Sequence, residues 1–332
     1  MAATAIEQTT MKAVVHTAFG SSGALAIDEV EKPAVGDGDV VVRVHAASLN
    51  RVDWYTMTGT PYVGRAQMGV RRPKSRMLST DFAGTVEAVG KDVTQFQPGD
   101  AVFGRSDAFA EYVRVAEDGA VVAKPAGVTF EDAACVGVAG ITALQGLRDH
   151  GEVRAGHKVL VNGASGGVGT FAVQIAKTLG AEVTAVCSTG NVELQRSLGA
   201  DHVLDYTRED FTRSHRRYDV LIDIAGSRPW RECKRVLKPE ATIVLIGGPK
   251  TNRLLGPLMH VITVKIGAAG RSQKAVFFIA KLNARDLAAL GELLDARKVT
   301  PVIDRRYELS EIREAFRYLG EGHARGKIVV TL

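Results

Sequence analysis

Hydrophobic and polar residues follow one pattern in the first third of the chain and another in the middle third. Up to about residue 125, short apolar segments such as 13–16, 40–44 and 84–90 alternate with glycine- and proline-rich turns. This pattern predicts a β-rich unit with irregular loops. Residues 55–79 have no clear periodicity, which is typical of a long loop that is either functional or mobile.

From about Phe130 the pattern changes to strands that alternate with helices. Apolar residues form a short strand at 159–161, and at 168–179 they recur with the spacing of one helix face. Strands and helices in this alternation predict a parallel sheet with crossover helices. Further strands are expected at 183–187, 202–204, 220–222 and 243–246, and further helices at 192–198 and 231–237.

The last third predicts a return to the first domain. We expect a long amphipathic helix at about 273–297, a strand near Val302, a helix at 311–319 and a terminal strand at 327–331. A terminal strand after a βα unit is expected to join the first domain.

Composition narrows the class of protein. The 332 residues, 45% of them apolar, suffice for about two globular domains. The net charge of +5 is spread along the chain, and the basic stretches 71–76 and 213–217 lack interleaved aromatic residues, so we expect no nucleic-acid partner. No apolar run reaches the roughly 18 residues of a membrane span. The first ten residues resemble no targeting signal, and Cys135, Cys187 and Cys233 are odd in number, so a cytoplasmic protein without a disulfide framework is expected.

The sharpest local signal is the glycine cluster at 162–169, between a predicted strand and a predicted helix. Glycines at 163, 166 and 169 remove Cβ atoms where a chain turns sharply and where a diphosphate approaches the backbone of a helix N-terminus. Their spacing is a variant of the dinucleotide fingerprint. The complete strand, turn, helix and strand of residues 159–187 supports this interpretation.

The same cluster also fits a competing interpretation. Residues 163–167 match G-x-S-x-G, the nucleophile elbow of α/β-hydrolases, with Ser165 as nucleophile. Such an enzyme needs an acid and a histidine, for which Asp223 with His260 or His323 are candidates. The additional Gly169 and the second strand at 183–187 favour the dinucleotide interpretation.

The end of the second strand indicates which cofactor is preferred. An NAD enzyme places an acid there for the ribose hydroxyls, whereas this chain has Ser188 and Thr189, with no acid until Glu193. Small hydroxyls favour NADPH, although no Lys or Arg occurs at 188–192 to bind the 2′-phosphate.

Several ordered motifs together resemble the medium-chain dehydrogenase/reductase superfamily, in its zinc-independent quinone oxidoreductase and enone reductase branch. The resemblance implies an α/β protein with a GroES-like β-rich catalytic domain, interrupted by a Rossmann domain with a doubly wound parallel sheet. We therefore expect a flexible N-terminus at 1–10, a catalytic domain at 11–133 and 270–332, and a dinucleotide-binding domain at 134–269. The motifs lie at 48–53, 81–90, 96–104, 162–169 and 196–203.

Zinc-dependent members of the superfamily hold their metal with a Cys and with the His of a G-H-E triplet. This chain has Asn50 and the triplet Ser79-Thr80-Asp81 at the corresponding positions, so we expect no metal. The three scattered cysteines and eight unclustered histidines give the same expectation without the family. Without a Lewis acid, reduction of an electrophilic quinone or enone is easier than oxidation of an alcohol.

The resemblance also assigns roles to residues. It places Asn50, Tyr55 and Tyr62 near the nicotinamide and the substrate as the catalytic set, and it identifies no clear proton donor. The cofactor-binding positions that it implies, together with the glycine cluster, are Thr142, Gly163, Ser165, Gly166, Gly167, Val168, Gly169, Ser188, Thr189, Asn191 and Tyr206.

These observations predict an NADPH-dependent, zinc-independent reductase of a small electrophile, either a quinone or an α,β-unsaturated carbonyl. A homodimer is possible, as dimers are common in the family. Two alternatives stay open at this point, namely a serine hydrolase that uses Ser165 and a nucleotide-binding protein without significant catalysis.

Overall fold

The computed structural model describes residues 9–248, residue 254 and residues 258–332. Most of the N-terminus that was predicted to be flexible lies outside these residues. The described part has a β-rich unit, formed by the first and last segments of the chain, and a parallel α/β unit between them.

The β-rich unit contains an antiparallel pair and a seven-stranded sheet. In the large sheet the order is β14-β15-β3-β4-β5-β7, and β6 also pairs with β3. Valines that alternate along β3, such as Val40, Val42 and Val44, are buried in one core with Phe82 and Val102. The first elements are β1 (Thr10–His16), β2 (Leu25–Glu31), β3 (Asp39–Leu49), α1 (Arg51–Thr58), α2 (Arg65–Met68), β4 (Thr80–Val89), β5 (Ala101–Ser106), β6 (Tyr112–Ala116) and β7 (Val121–Ala123).

The α/β unit has six parallel strands in the order β10-β9-β8-β11-β12-β13. Counted along this unit, the order is 3-2-1-4-5-6, which is that of a Rossmann fold. The elements are α3 (Phe130–Ala134), α4 (Gly137–Gln145), β8 (Lys158–Asn162), α5 (Gly167–Thr178), β9 (Glu182–Cys187), α6 (Val192–Ser197), β10 (His202–Asp205), β11 (Tyr218–Asp223), α7 (Trp230–Cys233), β12 (Leu237–Leu245), α8 (Leu258–Ala268) and β13 (Lys274–Phe277).

The chain then returns to the β-rich unit through α9 (Ala284–Asp295), β14 (Ile303–Glu308), α10 (Ile312–Glu321) and β15 (Lys327–Thr331). β15 pairs antiparallel with β3, with Ile328 opposite Leu49 and Thr331 opposite Ala46. This pairing confirms the predicted return of the terminal strand, and the GroES-like and Rossmann-like fold class is confirmed as a whole.

Two predictions on element boundaries are wrong. The helix expected at 273–297 begins only at Ala284, where the side chain of Asn283 caps it by accepting from Asp286 N. The preceding β-branched and aromatic residues form β13, which pairs with β12 and so belongs to the parallel sheet beyond the boundary predicted at 270. The segment 55–79, predicted to be a loop, contains the second half of α1 as well as α2.

Candidate active site

Three glycines in the turn between β8 and α5 have different roles. Gly163 has φ +92°, a conformation that favours glycine. A Cβ on Gly169 would lie 2.2 Å from the Gly163 carbonyl oxygen, so its absence lets α5 pack against the turn. A Cβ on Gly166 would meet no atom within 4 Å. The fold therefore requires Gly163 and Gly169, whereas Gly166 borders open space.

The N-terminus of α5 is free to bind an anion. Gly166 is its N-cap, no side chain caps the helix, and its first turn has no acidic residue. The first N–H groups of a helix have no partner within the helix, and they carry the positive end of its dipole. The turn follows β8, which neighbours β11 where the strand order reverses, and this crevice is the usual dinucleotide site of such sheets. The fingerprint residues Ser165, Gly167 and Val168 lie at this place.

The end of β9 differs from the expectation in one respect. No acid occurs there before Glu193, but Asp205 at the end of the neighbouring strand β10 reaches the same place. Thr189 Oγ1 donates to Asp205 Oδ2 at 2.5 Å, and Thr207 Oγ1 donates to Asp205 Oδ1 at 2.7 Å. The Thr189 bond holds the pKa of Asp205 below its usual value. The Thr189 hydroxyl therefore has its proton engaged and offers a phosphate no free donor.

Two other predicted cofactor residues also lie at this strand end. Asn191 Nδ2 donates to Ser188 Oγ at 3.0 Å, and Asn191 Oδ1 is buried without a hydrogen-bond partner among the described residues. Tyr206 is 58% exposed, and its backbone N donates to Cys187 O at 3.0 Å. The structure thus brings Ser188, Thr189, Asn191 and Tyr206 together.

The glycine turn lies directly against residues of the β-rich unit. Gly166 forms an isolated parallel bridge with Gly326, immediately before β15. A Cβ on Gly167 would lie 3.1 Å from Lys327 Cδ. From α4, Val138 N donates to the Asp81 carboxylate at 3.0 Å. The first residues of β4 and β15 therefore belong to the face of the β-rich unit that contacts the α/β unit at this turn, here called the cleft wall.

A buried ammonium group lies at the centre of this wall. Lys327 is 2% exposed, and its Nζ donates to Leu49 O at 2.9 Å and to Asn50 Oδ1 at 2.6 Å. The same Nζ lies 3.8 Å from Asp81 Oδ2, which accepts a 2.9 Å bond from Asn50 Nδ2. The second amide proton of Asn50 points to Ser48 O at 3.3 Å. Asn50 therefore links the ammonium to the carboxylate and has both amide protons engaged.

This donor set does not fit a zinc ion. The places where zinc-dependent relatives have their ligands hold an amide, a hydroxyl and a carboxylate, and the carboxylate is already close to the Lys327 ammonium. An ammonium at this position would repel a divalent cation. No group of three or more His, Cys, Asp or Glu side chains among the described residues could hold a metal ion.

A second carboxyl, Asp53, lies beneath the wall and is 1% exposed. Its Oδ2 accepts from Asn50 N at 2.6 Å and lies 2.8 Å from Thr80 Oγ1, whereas its Oδ1 has no hydrogen-bond partner in the described part of the chain. Burial raises the pKa of Asp53 to about 7; the Arg105 guanidinium opposes this rise and the Asp81 carboxylate adds to it. Asp53 therefore takes up a proton near neutral pH.

We expect Asp53→Asn to flatten the dependence of stability on pH between about 4 and 7. The carboxyl ionises near 3.8 when exposed and at about 7 in the folded protein, so the folded state binds the extra proton in this window. Its contribution is present below pH 3.8 and is lost as pH rises through 7, by up to ~1.4 kcal/mol per pH unit. Urea unfolding at several pH values measures this, with the exposed Asp118→Asn as control. An equal decline in wild type and Asp53→Asn would contradict the assignment.

The two tyrosines and Thr142 occupy different surroundings. Tyr55 lies in α1, and burial raises the pKa of its hydroxyl while nearby Arg51 lowers it. Tyr62 is 43% exposed, and its ring lies 4.6 Å from the Arg65 guanidinium. Thr142 Oγ1 donates to Val138 O at 2.6 Å, one turn from the residue that binds Asp81. Thr142 thus lies in α4, one helical turn after the residue that contacts the cleft wall, whereas Tyr62 lies in the 55–79 segment.

The groups nominated for a hydrolase are only partly assembled. His260 Nε2 lies 2.9 Å from Asp223 Oδ2. Asp223 Oδ1 accepts from Asn162 Nδ2 at 2.7 Å, which fixes the carboxylate at the end of β11. The described residues show no hydrogen bond between Ser165 and His260. The pair therefore lacks the nucleophile that a triad requires.

Of the residues in the cleft wall, the sequence predicts Asn50 but assigns no role to Lys327 or Asp81, and it also gives none to the buried Asp53 or to Asp205 beside the end of β9. The sequence places Lys327 only in a terminal strand, although a charged residue at the start of an otherwise buried strand is a signal of a buried ion pair. It indicates Asp81 only as a replacement for a metal ligand. Asp53 and Asp205 carry no signal in the sequence, because their burial and partners depend on the fold.

No helix in the described part of the chain is long and apolar enough to span a bilayer. The model of the Alcohol dehydrogenase GroES-like domain matches residues 36–126, and that of the Zinc-binding dehydrogenase matches residues 198–330.

Three similar proteins match over most of their length. The chloroplastic quinone-oxidoreductase QR1 of Triphysaria versicolor is 33% identical over 338 residues, which cover 96% of this chain and 98% of that protein. The mitochondrial NAD(P)H oxidoreductase RTN4IP1 of Mus musculus is 35% identical over 329 residues, covering 89% of this chain and 82% of that protein. The solved quinone oxidoreductase of Coxiella burnetii has a TM-score of 0.84 at 30% identity and covers 97% of this chain and 99% of its own.

Fold, site and relatives together define an oxidoreductase that uses a nicotinamide cofactor. The chain belongs to the medium-chain dehydrogenase/reductase superfamily, in its quinone oxidoreductase and enone reductase branch. The predicted family is therefore confirmed.

Proposed function

We propose that the protein is an NADPH-dependent, zinc-independent oxidoreductase that transfers hydride to a quinone or an α,β-unsaturated carbonyl. One observation carries the proposal: the open, uncapped turn at Gly166 faces a wall in which Lys327, Asn50 and Asp81 are bonded to one another. The cleft thus offers an anion site on one side and an ordered polar wall, without a zinc ligand set, on the other.

Different residues of the chain bind the cofactor and orient the polar groups opposite it. The N–H groups at the start of α5 hold the diphosphate, and Gly166 leaves room for it. The bound nicotinamide supplies the hydride. On the opposite side, the Lys327 ammonium and the Asp81 carboxylate compensate each other and fix the side chain of Asn50, so this amide keeps one orientation beside the proposed site. Reaction then depends on orientation in the cleft rather than on a Lewis acid.

The proposed preference for NADPH over NADH is supported by the absence of a free carboxylate at the end of β9, where it would repel the 2′-phosphate. Asp205 accepts from two threonine hydroxyls, and Arg208 Nε lies 3.7 Å from its Oδ2, so its charge is partly compensated. The names of the relatives support the nicotinamide cofactor without a choice between its two forms. Cytoplasmic location and a homodimer stay predictions of this proposal.

We expect the purified protein to oxidise NADPH in the presence of quinones or enones, and to keep this activity after treatment with a metal chelator. Absorbance at the nicotinamide band measures turnover over a panel of acceptors, and elemental analysis measures bound zinc. Ser165→Ala should keep most of the activity, because a reductase needs no nucleophile there. Stoichiometric zinc, or an esterase activity that Ser165→Ala abolishes, would contradict the proposal.

A further inference from the structure

One basic side chain of the β-rich unit reaches across to the ribose end of the predicted cofactor site. Arg325 lies two residues before β15, and its guanidinium rests on Gly190 in the turn after β9. A Cβ on Gly190 would lie 3.4 Å from Arg325 Nη2 and 3.9 Å from Cζ. The turn 188–192 has no basic residue of its own. Arg325 therefore brings to this turn a positive charge that the local sequence lacks.

The backbone of Arg325 is fixed while its charge is free. Arg325 N donates to Asp304 Oδ2 at 3.0 Å, and the same oxygen accepts from Tyr318 Oη at 2.7 Å. The next residue, Gly326, forms the bridge to Gly166. The guanidinium itself is exposed and makes no hydrogen bond or ion pair with any described residue. An anchored backbone with an unpaired guanidinium suits the binding of an anion that comes from solution.

The other groups at this turn leave a place for such a cation. Thr189 and Thr207 direct their hydroxyl protons to Asp205, so neither is free for a phosphate. Arg208 Nε lies 3.7 Å from Asp205 Oδ2, so its charge is engaged by that carboxylate. A dianionic phosphate at the end of β9 would be repelled by the Asp205 carboxylate unless a further cation compensated this repulsion. Arg325 lies where its charge provides that compensation.

We propose that Arg325 binds the 2′-phosphate of NADPH and so determines the choice of NADPH over NADH. This inference rests on the proposed function. The phosphate contact is supplied across the cleft, by the unit that also carries Lys327, rather than by the β9 turn itself. The 2′-phosphate would then connect the two units of the protein at a second point, beyond the bridge between Gly166 and Gly326.

The test is a titration of Arg325→Gln with NADPH and with NADH, in which nicotinamide fluorescence measures binding. Loss of one charge-assisted contact should raise the Kd for NADPH about tenfold or more, while the Kd for NADH changes less than about twofold. Adenosine 2′,5′-bisphosphate against 5′-AMP gives the same comparison without the nicotinamide, and Arg325→Lys should restore part of the difference. Arg317→Gln is the matched control, because Arg317 is exposed on α10 and pairs with Glu314 and Glu321.

The outcomes separate the inference from the proposed function. If wild type binds NADPH and Arg325→Gln binds it equally well, or if affinity for both nucleotides falls to the same extent, Arg325 is not the specificity determinant. If wild type binds neither nucleotide, the proposed function fails and the inference fails with it. A circular-dichroism melt of each variant confirms that the compared proteins are folded.

Discussion

Gly166→Val should weaken NADPH binding at least about a hundredfold and leave the protein folded. Because a Cβ on Gly166 meets no atom within 4 Å and the residue has the extended values φ −82° and ψ 177°, the fold accepts a side chain there. The isopropyl group would occupy the space in front of the α5 N–H groups, where the diphosphate is expected. Loss of two hydrogen bonds to a charged group, at about 1.5–3 kcal/mol each, weakens binding at least about a hundredfold.

Nicotinamide fluorescence measures the NADPH affinity of Gly166→Val, and a thermal melt measures whether the variant is folded. Gly38→Val is the matched control, since a Cβ on Gly38 also meets nothing within 4 Å but the residue lies in the turn before β3. Gly169→Ala should behave oppositely and destabilise the protein, because its Cβ would lie 2.2 Å from a carbonyl oxygen. Tight NADPH binding by a folded Gly166→Val would remove the glycine turn from the cofactor site.

Lys327→Met should lower the free energy of unfolding by about 3–5 kcal/mol, the usual cost of removing one partner of a buried ion pair. The substitution keeps much of the side-chain volume, so the effect arises from charge. It leaves Asp81 buried without the ammonium, and it leaves Leu49 O and Asn50 Oδ1 without their donor. We also expect a fall in kcat, because Asn50 loses one of the bonds that orient it.

Urea unfolding of a double-mutant cycle distinguishes this charge effect from lost packing. Asp81→Asn in the Lys327→Met background should recover part of the lost stability, because no uncompensated carboxylate then stays buried. Lys91→Met is the control, since its ion pair with Asp37 is exposed and such pairs contribute at most about 1 kcal/mol. A loss no larger than that of the control would show that the Lys327 ammonium is not part of a buried ion cluster.

The Rossmann half of the fold could be predicted because its signals are local. The strand at 158–162, the glycine turn and the apolar face of α5 are contiguous, and so the periodicity of a few residues specifies them. The first part of the helix predicted at 273–297 was wrong, because the residues at 274–277 form a strand, whereas a helix does form at 284–295. Pairing of β13 with β12 decided between the two states, and that pairing joins residues about 32 positions apart, as with Thr242 and Lys274.

Only the part of the candidate site that lies within one continuous segment of the chain could be predicted. The glycine turn was found from its own sequence, and its role as cofactor site stays a proposal. The cleft wall joins Asn50, Asp81 and Lys327, which come together only because β15 pairs with β3 and β3 with β4. Arg325 and Asp205 reach the ribose end in the same way, from other strands. No local pattern encodes such contacts.

The bridge between Gly166 and Gly326 has a consequence for motion. Gly326 is followed directly by Lys327 and preceded by Arg325, so one short stretch of chain contacts the glycine turn, the buried ammonium cluster and the turn after β9. A hinge movement that opens the crevice must displace all three together. We therefore expect departure of spent coenzyme from the proposed site and reshaping of the reaction chamber to occur as a single mechanical event.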